Sequence, residues 1–119
     1  MRSVDHHLSA DLDAPARSRR LVAASMGTHP RKEDAVLAVS EIVANAVVHG
    51  APSDGGLILR LGTDPSRLRV EITHAGVPFD PAVDRAFHGL GMVDQVVDRW
   101  GIDGPGDNRV TVWFEIDLT

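Results

Sequence analysis

Ala35-Val36-Leu37-Ala38-Val39-Ser40-Glu41-Ile42-Val43-Ala44-Asn45-Ala46-Val47-Val48-His49-Gly50 is the run on which the reading of the whole chain turns. Leu37, Val39, Ile42, Val43, Ala46 and Val47 cover so much of a helical circumference that the spacing predicts a helix buried on most sides, from roughly Arg31 to His49. A buried helix has little use for a carboxylate. Yet Glu41, Asn45 and His49 recur every fourth residue and, at about 3.6 residues per turn, fall on one slowly drifting stripe. An anion, an amide and an imidazole on one stripe suit a charged ligand and its metal ion. The alternative is a helix whose wet side happens to hold these residues, with Gly50 serving only as its C-terminal stop.

At 119 residues the chain is expected to form a single domain, residues 1–119, which buries about two thirds of its unfolded surface and folds without staples. With 12 Lys plus Arg against 17 Asp plus Glu the formal charge is −5. That argues against direct nucleic-acid binding, which needs a clustered basic surface, and for a protein or small-molecule partner. Cysteine is absent, which removes disulfides, thiolate metal sites and thiol nucleophiles and fits a reducing compartment. Met1 to His7 carry no apolar run behind their charge, and no segment approaches the roughly 18 apolar residues of a membrane span. The expectation is a cytoplasmic domain without membrane contact.

Around the central helix the punctuation is regular. Residues 5–11 alternate weakly and predict an edge strand. Asp13-Ala14-Pro15 reads as a helix start, the acid capping and the proline in the first turn. That helix runs to Met26 with Leu21, Val22 and Met26 packing, Arg17, Arg19 and Arg20 outward, and Gly27 as its end. The arginines are either a solvated face or a docking patch for an acidic partner. Downstream, turn residues at 51–56 lead to a strand at 57–61, a turn at 63–66 and an alternating strand at 67–74, a hairpin with one buried face. Residues 75–87 hold two prolines and a glycine and read as a loop. Gly89-Leu90-Gly91-Met92 opens a third helix expected to reach Trp100, and Ile102 begins a last hairpin turned at 104–108 and closed by 110–116. This order predicts an α/β (α+β) two-layer sandwich, three helices packed on one face of a mixed, mostly antiparallel sheet.

Three places carry candidate chemistry. The stripe Glu41, Asn45, His49 is the first. The second is the strand end Thr73-His74-Ala75-Gly76, where a glycine lets a flat ligand lie against the main chain. The third is Gly89-Leu90-Gly91-Met92, whose free N–H groups and positive helix dipole offer a seat for phosphate. A dinucleotide fold is disfavoured, because its glycines would follow the first strand rather than come late. No H-E-x-x-H or similar spacing makes a metal site of His49, His74 and His88.

In this order the three places resemble the GHKL (Bergerat-fold) ATPases, and within them the small bacterial anti-sigma-factor serine kinases and their single-domain actinobacterial relatives. Ser40 to Gly50 is similar to their N box, S-E-x-x-x-N-A-x-x-H-G, over its full length, and Gly89-Leu90-Gly91-Met92 to their G2 box. Val93 to Gly101, with Thr111 to Glu115, resembles the closing segment of the actinobacterial members. The resemblance covers nearly the whole chain; the N box is its specific signal and the glycine boxes support it.

The resemblance implies ATP and Mg²⁺ as cofactors. Asn45 would coordinate the Mg²⁺ bridging the phosphates, and Glu41 would orient or deprotonate an attacking hydroxyl. His49, His74, Gly76, Gly89, Leu90, Gly91, Met92 and Thr111 would line the nucleotide. An amide oxygen is a hard ligand suited to Mg²⁺, and phosphoryl transfer needs mainly positioning and charge neutralisation. The implied partners are an anti-sigma antagonist protein, phosphorylated on serine, and/or a sigma factor held away from polymerase, with the kinase a homodimer. One position departs from the pattern: the family's G1 box reads D-x-G, its aspartate accepting from the adenine amino group, and here the slot is His74-Ala75-Gly76. Neutral imidazole has one acceptor nitrogen and imidazolium none, so weak, pH-dependent nucleotide binding is expected. A second departure is Phe87 where many relatives carry another glycine, with a span from Val77 to His88 that is short for an ATP lid. The alternative function is a non-enzymatic interaction module of the same fold. A sensor-kinase catalytic fragment is disfavoured, since no dimerisation helix with a phospho-acceptor histidine precedes the fold.

Overall fold

The computed structural model describes residues 1–50, 56–75, 89–103 and 109–119. Most of the turn expected at 51–56, the turn at 104–108 and most of the loop between the first hairpin and the third helix lie outside the described residues; so do Gly76, Phe87 and His88. Strand β1 (Arg2–Leu8) is followed by helix α1 (Ala14–Met26), helix α2 (Lys32–Asn45) and a π-helical turn (Ala46–Gly50). Then come β2 (Leu57–Asp64), β3 (Arg67–Ala75), helix α3 (Gly89–Val96), β4 (Arg99–Asp103) and β5 (Arg109–Asp117). The strands form one sheet in the order β1-β2-β3-β5-β4, and every described pairing is antiparallel.

Alternation along β2, β3 and β5 sorts the sheet into two faces. Leu57, Leu59 and Leu61, Leu68, Val70 and Ile72, and Val110, Val112, Phe114 and Ile116 are buried and form one core with Val22, Val39, Ile42 and Val43 of the helices. At about 25 cal/mol per Å² of apolar surface removed from water, this core is the main term that holds the helical layer on the sheet. The β2–β3 hairpin closes on Pro65-Ser66, where Asp64 Oδ1 accepts the Ser66 N–H at 2.8 Å and its hydroxyl at 2.9 Å. Aspartate and proline are the residues such a turn favours.

Several boundaries differ from the sequence expectation. The first strand lies earlier, at Arg2–Leu8, because Asp11 turns the chain, accepting the Asp13 N–H at 2.9 Å and Arg17 Nη2 at 2.9 Å. Asp13 stands at the N-cap of α1 but its side chain makes no cap bond. Helix α3 stops at Val96 rather than Trp100. Asp98 draws the chain into the sheet: its N–H donates to the Glu115 carbonyl at 3.0 Å and its carboxylate accepts the Asp117 N–H at 2.7 Å. Trp100 therefore pairs opposite Phe114 in β4, and its indole N–H donates to Asp94 at 2.7 Å. On α2 the small residues Ala35 and Ala38 take the contact positions at 0 % exposure, while Leu37 is 37 % exposed. The helix is thus buried along one side rather than most of its girth.

Candidate functional site

The polar stripe of α2 begins at the core and ends in a change of helix type. Glu41 and Asn45 lie one α-turn apart and are half-buried, beside the fully packed Ile42 and Val43. At Ala46 the backbone N–H is shared between the carbonyls of Ile42 and Val43, and the chain passes into the π-helical turn Ala46–Gly50 that carries His49. A π-turn spreads a given rotation over more residues than an α-turn, so the backbone leaves α spacing after Asn45. Single π-turns inside helices occur often at functional sites.

Asn45 has a feature its neighbours lack. Its Nδ2 is sealed from solvent and has no hydrogen-bond partner among the described residues. A buried amide left unpaired costs about 1–3 kcal/mol, and turning the amide over would leave its oxygen in the same position. Glu41 likewise makes no ion pair or hydrogen bond among the described residues. Ser40, one residue earlier, is tied down: its hydroxyl accepts from Arg19 Nη1 at 2.9 Å. Arg19 is therefore half-buried and bridges α1 to α2, which corrects its expected outward position.

His74 ends β3 on the helix side, 5 % exposed, in register with Leu57 and Val110. Its Nδ1 lies 3.0 Å from the Ala75 carbonyl. In the neutral ring that contact makes Nδ1 the donor and leaves Nε2 as the acceptor. The π-helical turn packs against β3, and α3 packs against α2, so the elements bearing the stripe, His74 and the late glycine pair are gathered on one side of the sheet. At Gly91 an added Cβ would meet nothing within 4 Å among the described residues, and its φ is not left-handed. Neither packing nor backbone conformation requires a glycine there. Met92, 46 % exposed, stands beside it, and Val93 is the fully buried residue of α3 among those described. Gly89 and Leu90 open the same helix.

Among the described residues, Thr111 lies on a different face of the sheet from His74. It is one residue out of phase with Val110, so it lies on the face of β5 opposite His74, with its hydroxyl 2.8 Å from that of Thr73. Val110 takes the place next to His74. Among the described residues no three of His, Asp and Glu gather as a metal-binding cluster, and no described helix is long and apolar enough to cross a membrane.

Residues 8–114 match the model of a family described as the histidine kinase-like ATPase domain. The chain belongs to that family. Solved structures of similar shape surround this ATPase domain. One, described as the RsbU and RsbW domains of Rv1364c from Mycobacterium tuberculosis, superposes with a TM-score of 0.77 at 20% identity. The match covers 99% of this chain and 33% of that one, so the ATPase domain spans about a third of that chain's length. The catalytic domain of histidine kinase ThkA gives 0.64 at 13% identity, covering 100% of this chain and 99% of that one. A mycobacterial sensor histidine kinase, MprB, gives 0.60 at 17% identity, covering 98% and 97%. No curated protein matches the ATPase domain.

Sequence reasoning did not find Arg19 or Arg31 as residues that hold α2 in place. Arg31 precedes α2 and bonds Asp34, Asp98 and the Val96 carbonyl. Its signal was a cation at a helix N-terminus, the end of the dipole that disfavours positive charge.

Proposed function

We propose that this ATPase domain binds Mg-ATP between α2, the end of β3 and the start of α3, and acts as a serine kinase on a protein antagonist of the anti-sigma type, sequestering a sigma factor-like partner as a homodimer. The carrying observation is the sealed amide nitrogen of Asn45, without a partner among the described residues, on the stretch that resembles the N box. A buried polar group without a partner is what a site looks like before its ligand arrives. ATP supplies the transferable phosphoryl group and Mg²⁺ neutralises the charge on it. Asn45 would hold the metal through its amide oxygen, the hard donor that Mg²⁺ prefers. Glu41, one turn earlier and free of any cation among the described residues, would accept the hydrogen bond of the incoming serine hydroxyl and hold it in line. Gly91 leaves its N–H open to an anion, with no side chain to intrude. His74 would take the adenine amino group on Nε2. The likeness to a protein with an RsbW domain is in keeping with a kinase of this class.

A second reading keeps the fold and loses the chemistry: an interaction module that does not hold nucleotide. It is favoured by the buried His74 in the slot where the resemblance expects an aspartate. Titration calorimetry with Mg-ATP decides between them. Binding that disappears in Asn45→Ala, together with phosphoserine on the antagonist that disappears in Glu41→Ala, supports the kinase; a parent protein that releases no heat with Mg-ATP leaves the module.

A further inference from the structure

Arg31 stands where a helix gives a cation no help, at the positive end of the α2 dipole, yet its side chain is half-buried and fully engaged. Nη1 donates to Asp98 at 2.5 Å, Nη2 to the carbonyl of Val96 at 2.8 Å, and Nε to Asp34 at 3.2 Å. Asp98 in turn accepts the Asp117 N–H at 2.7 Å. The backbone is held as well: the Arg31 N–H donates to His29 Nδ1 at 3.0 Å, which leaves Nε2 to donate to the Leu118 carbonyl at 2.8 Å. One guanidinium thus joins the start of α2 to the last turn of α3 and, through Asp98, to the end of β5.

Among the described residues, α3 is held otherwise by Val93 and Val96 against the core and by the bond from the Trp100 indole to Asp94. It is eight residues long, shorter than the roughly 12–15 at which an isolated helix becomes even marginal. Val93 is its fully buried side chain among those described. Eight residues at about 1.5 Å rise span roughly 12 Å, and the ten from Arg31 to Glu41 about 15 Å. Helix α3 packs on α2 with the carbonyl of its last residue, Val96, fixed at Arg31, so Arg31 anchors the C-terminal end of α3 to the start of α2. We propose that Arg31 is a positioning residue for nucleotide binding: by fixing the last turn of α3 to the start of α2, it sets where the Gly91 end of α3 lies relative to Glu41 and Asn45. This rests on the nucleotide site proposed above. Lysine cannot substitute, since an ammonium does not span three acceptors with the fixed fork of a guanidinium.

The test joins native-state hydrogen exchange to calorimetry with Mg-ATP, on the full chain and on Arg31→Met, Arg31→Lys and Asp98→Asn. Arg31→Met is expected to exchange the α3 amides about tenfold faster or more, with the β2–β3 hairpin unchanged, and to bind Mg-ATP about tenfold more weakly. Arg31→Lys should recover little of either, and Arg31→Met combined with Asp98→Asn should be no worse than Arg31→Met alone, as for residues acting as one unit. If Arg31→Met loses its cooperative melt, Arg31→Lys carries the same comparison. Unchanged exchange of α3 in both variants overturns the clamp whatever the nucleotide data. Faster exchange with unchanged affinity overturns its role in binding, and a parent protein that exchanges as expected but binds no Mg-ATP overturns the proposed function and that role together.

Discussion

On the open face of the sheet Glu115 accepts from Arg99 Nε at 2.8 Å and Arg69 Nη1 at 3.0 Å, with Arg67 at 3.7 Å. Arg69 also bonds Glu71 and lies over Trp113, 4.3 Å from the ring centroid, and Arg99 reaches on to Asp117. On the other side of the molecule, Asn45 has a sealed amide nitrogen with no partner and Glu41 no cation, among the described residues. Both surfaces are polar, and both sit against the same core. The difference is that one has consumed its polar groups internally and the other has left them waiting. Polarity by itself therefore marks nothing; a polar group excluded from water and still unpaired is what points to a ligand.

The sharpest way to break this contrast is to remove the waiting group. Asn45→Ala is expected to weaken Mg-ATP binding about 10- to 100-fold or beyond, the worth of a lost bond to a charged group. The same change should leave the melting temperature of the ligand-free protein unchanged or higher, because it deletes a desolvated amide that nothing repays. Calorimetry and a thermal melt read the two effects. A large loss of stability would mean that Asn45 is structural after all, and the contrast would collapse.

His74→Asp tests the same side in the opposite direction. A carboxylate in place of imidazole restores an acceptor that bonds the adenine amino group with charge, a gain of about 1.5–3 kcal/mol or roughly 10- to 100-fold in affinity. The cost appears in the apo protein, since the site is 5 % exposed and an unpaired carboxylate there is poorly solvated. Tighter Mg-ATP binding with a lower melting temperature is the expected result; no gain in affinity removes His74 from the adenine slot.

The order of elements was legible because apolar spacing switches cleanly between helical and strand periods, and Glu41 and Asn45 were legible as polar residues inside an apolar run. Other features depended on contacts that spacing does not carry. The end of α3 is set by Asp98 binding a strand 19 residues later, so a helical pattern continued on paper through Trp100. The register of Thr111 with Thr73, on the face away from His74, was not readable from spacing either; a shift of one residue reverses every side chain of a strand. Arg31 and Asp98 are 67 residues apart, and only the cation at the wrong end of a helix hinted at the pairing.

Glu115→Gln probes the satisfied face. Burial alone would push the Glu115 carboxyl up, but hydrogen bonds from Arg99 and Arg69, with Arg67 nearby, hold it below its ordinary value of about 4.5. Its side chain is 12% exposed and those of its partners 27–44%. Removing the charge should therefore cost about 2 kcal/mol in urea unfolding, less than a fully buried pair would, with Mg-ATP affinity unchanged. The pH dependence follows the same sign. A carboxylate whose folded pKa is depressed contributes stability that is complete above its unfolded value and is lost as pH falls through the folded one. Asp98 is depressed in the same direction, by the Asp117 N–H and by Arg31 against the opposing effect of burial. Below about pH 4.5 the parent protein should lose stability with each step of acid, and Glu115→Gln should lose it less steeply.

The smallest effect is expected at Gly101, which faces Trp113 across β4 and β5. A Cβ built there would come within 2.8 Å of the indole ring, closer than any real contact, so Gly101→Ala must push the ring. Overpacking of this kind costs about 1–3 kcal/mol, and the entropy removed from the unfolded chain returns about 0.4–1 kcal/mol where the backbone is compatible. Trp113 is only half-buried and has solvent to move into, so a net loss near 1 kcal/mol is expected, with a changed near-ultraviolet circular dichroism signal as the ring leaves Arg69. If stability and spectrum both stay as they are, the indole moves at no cost and the open face is softer than its ion pairs imply. The contrast with α2 would then rest on the unpaired amide alone, and Asn45→Ala would have to carry it.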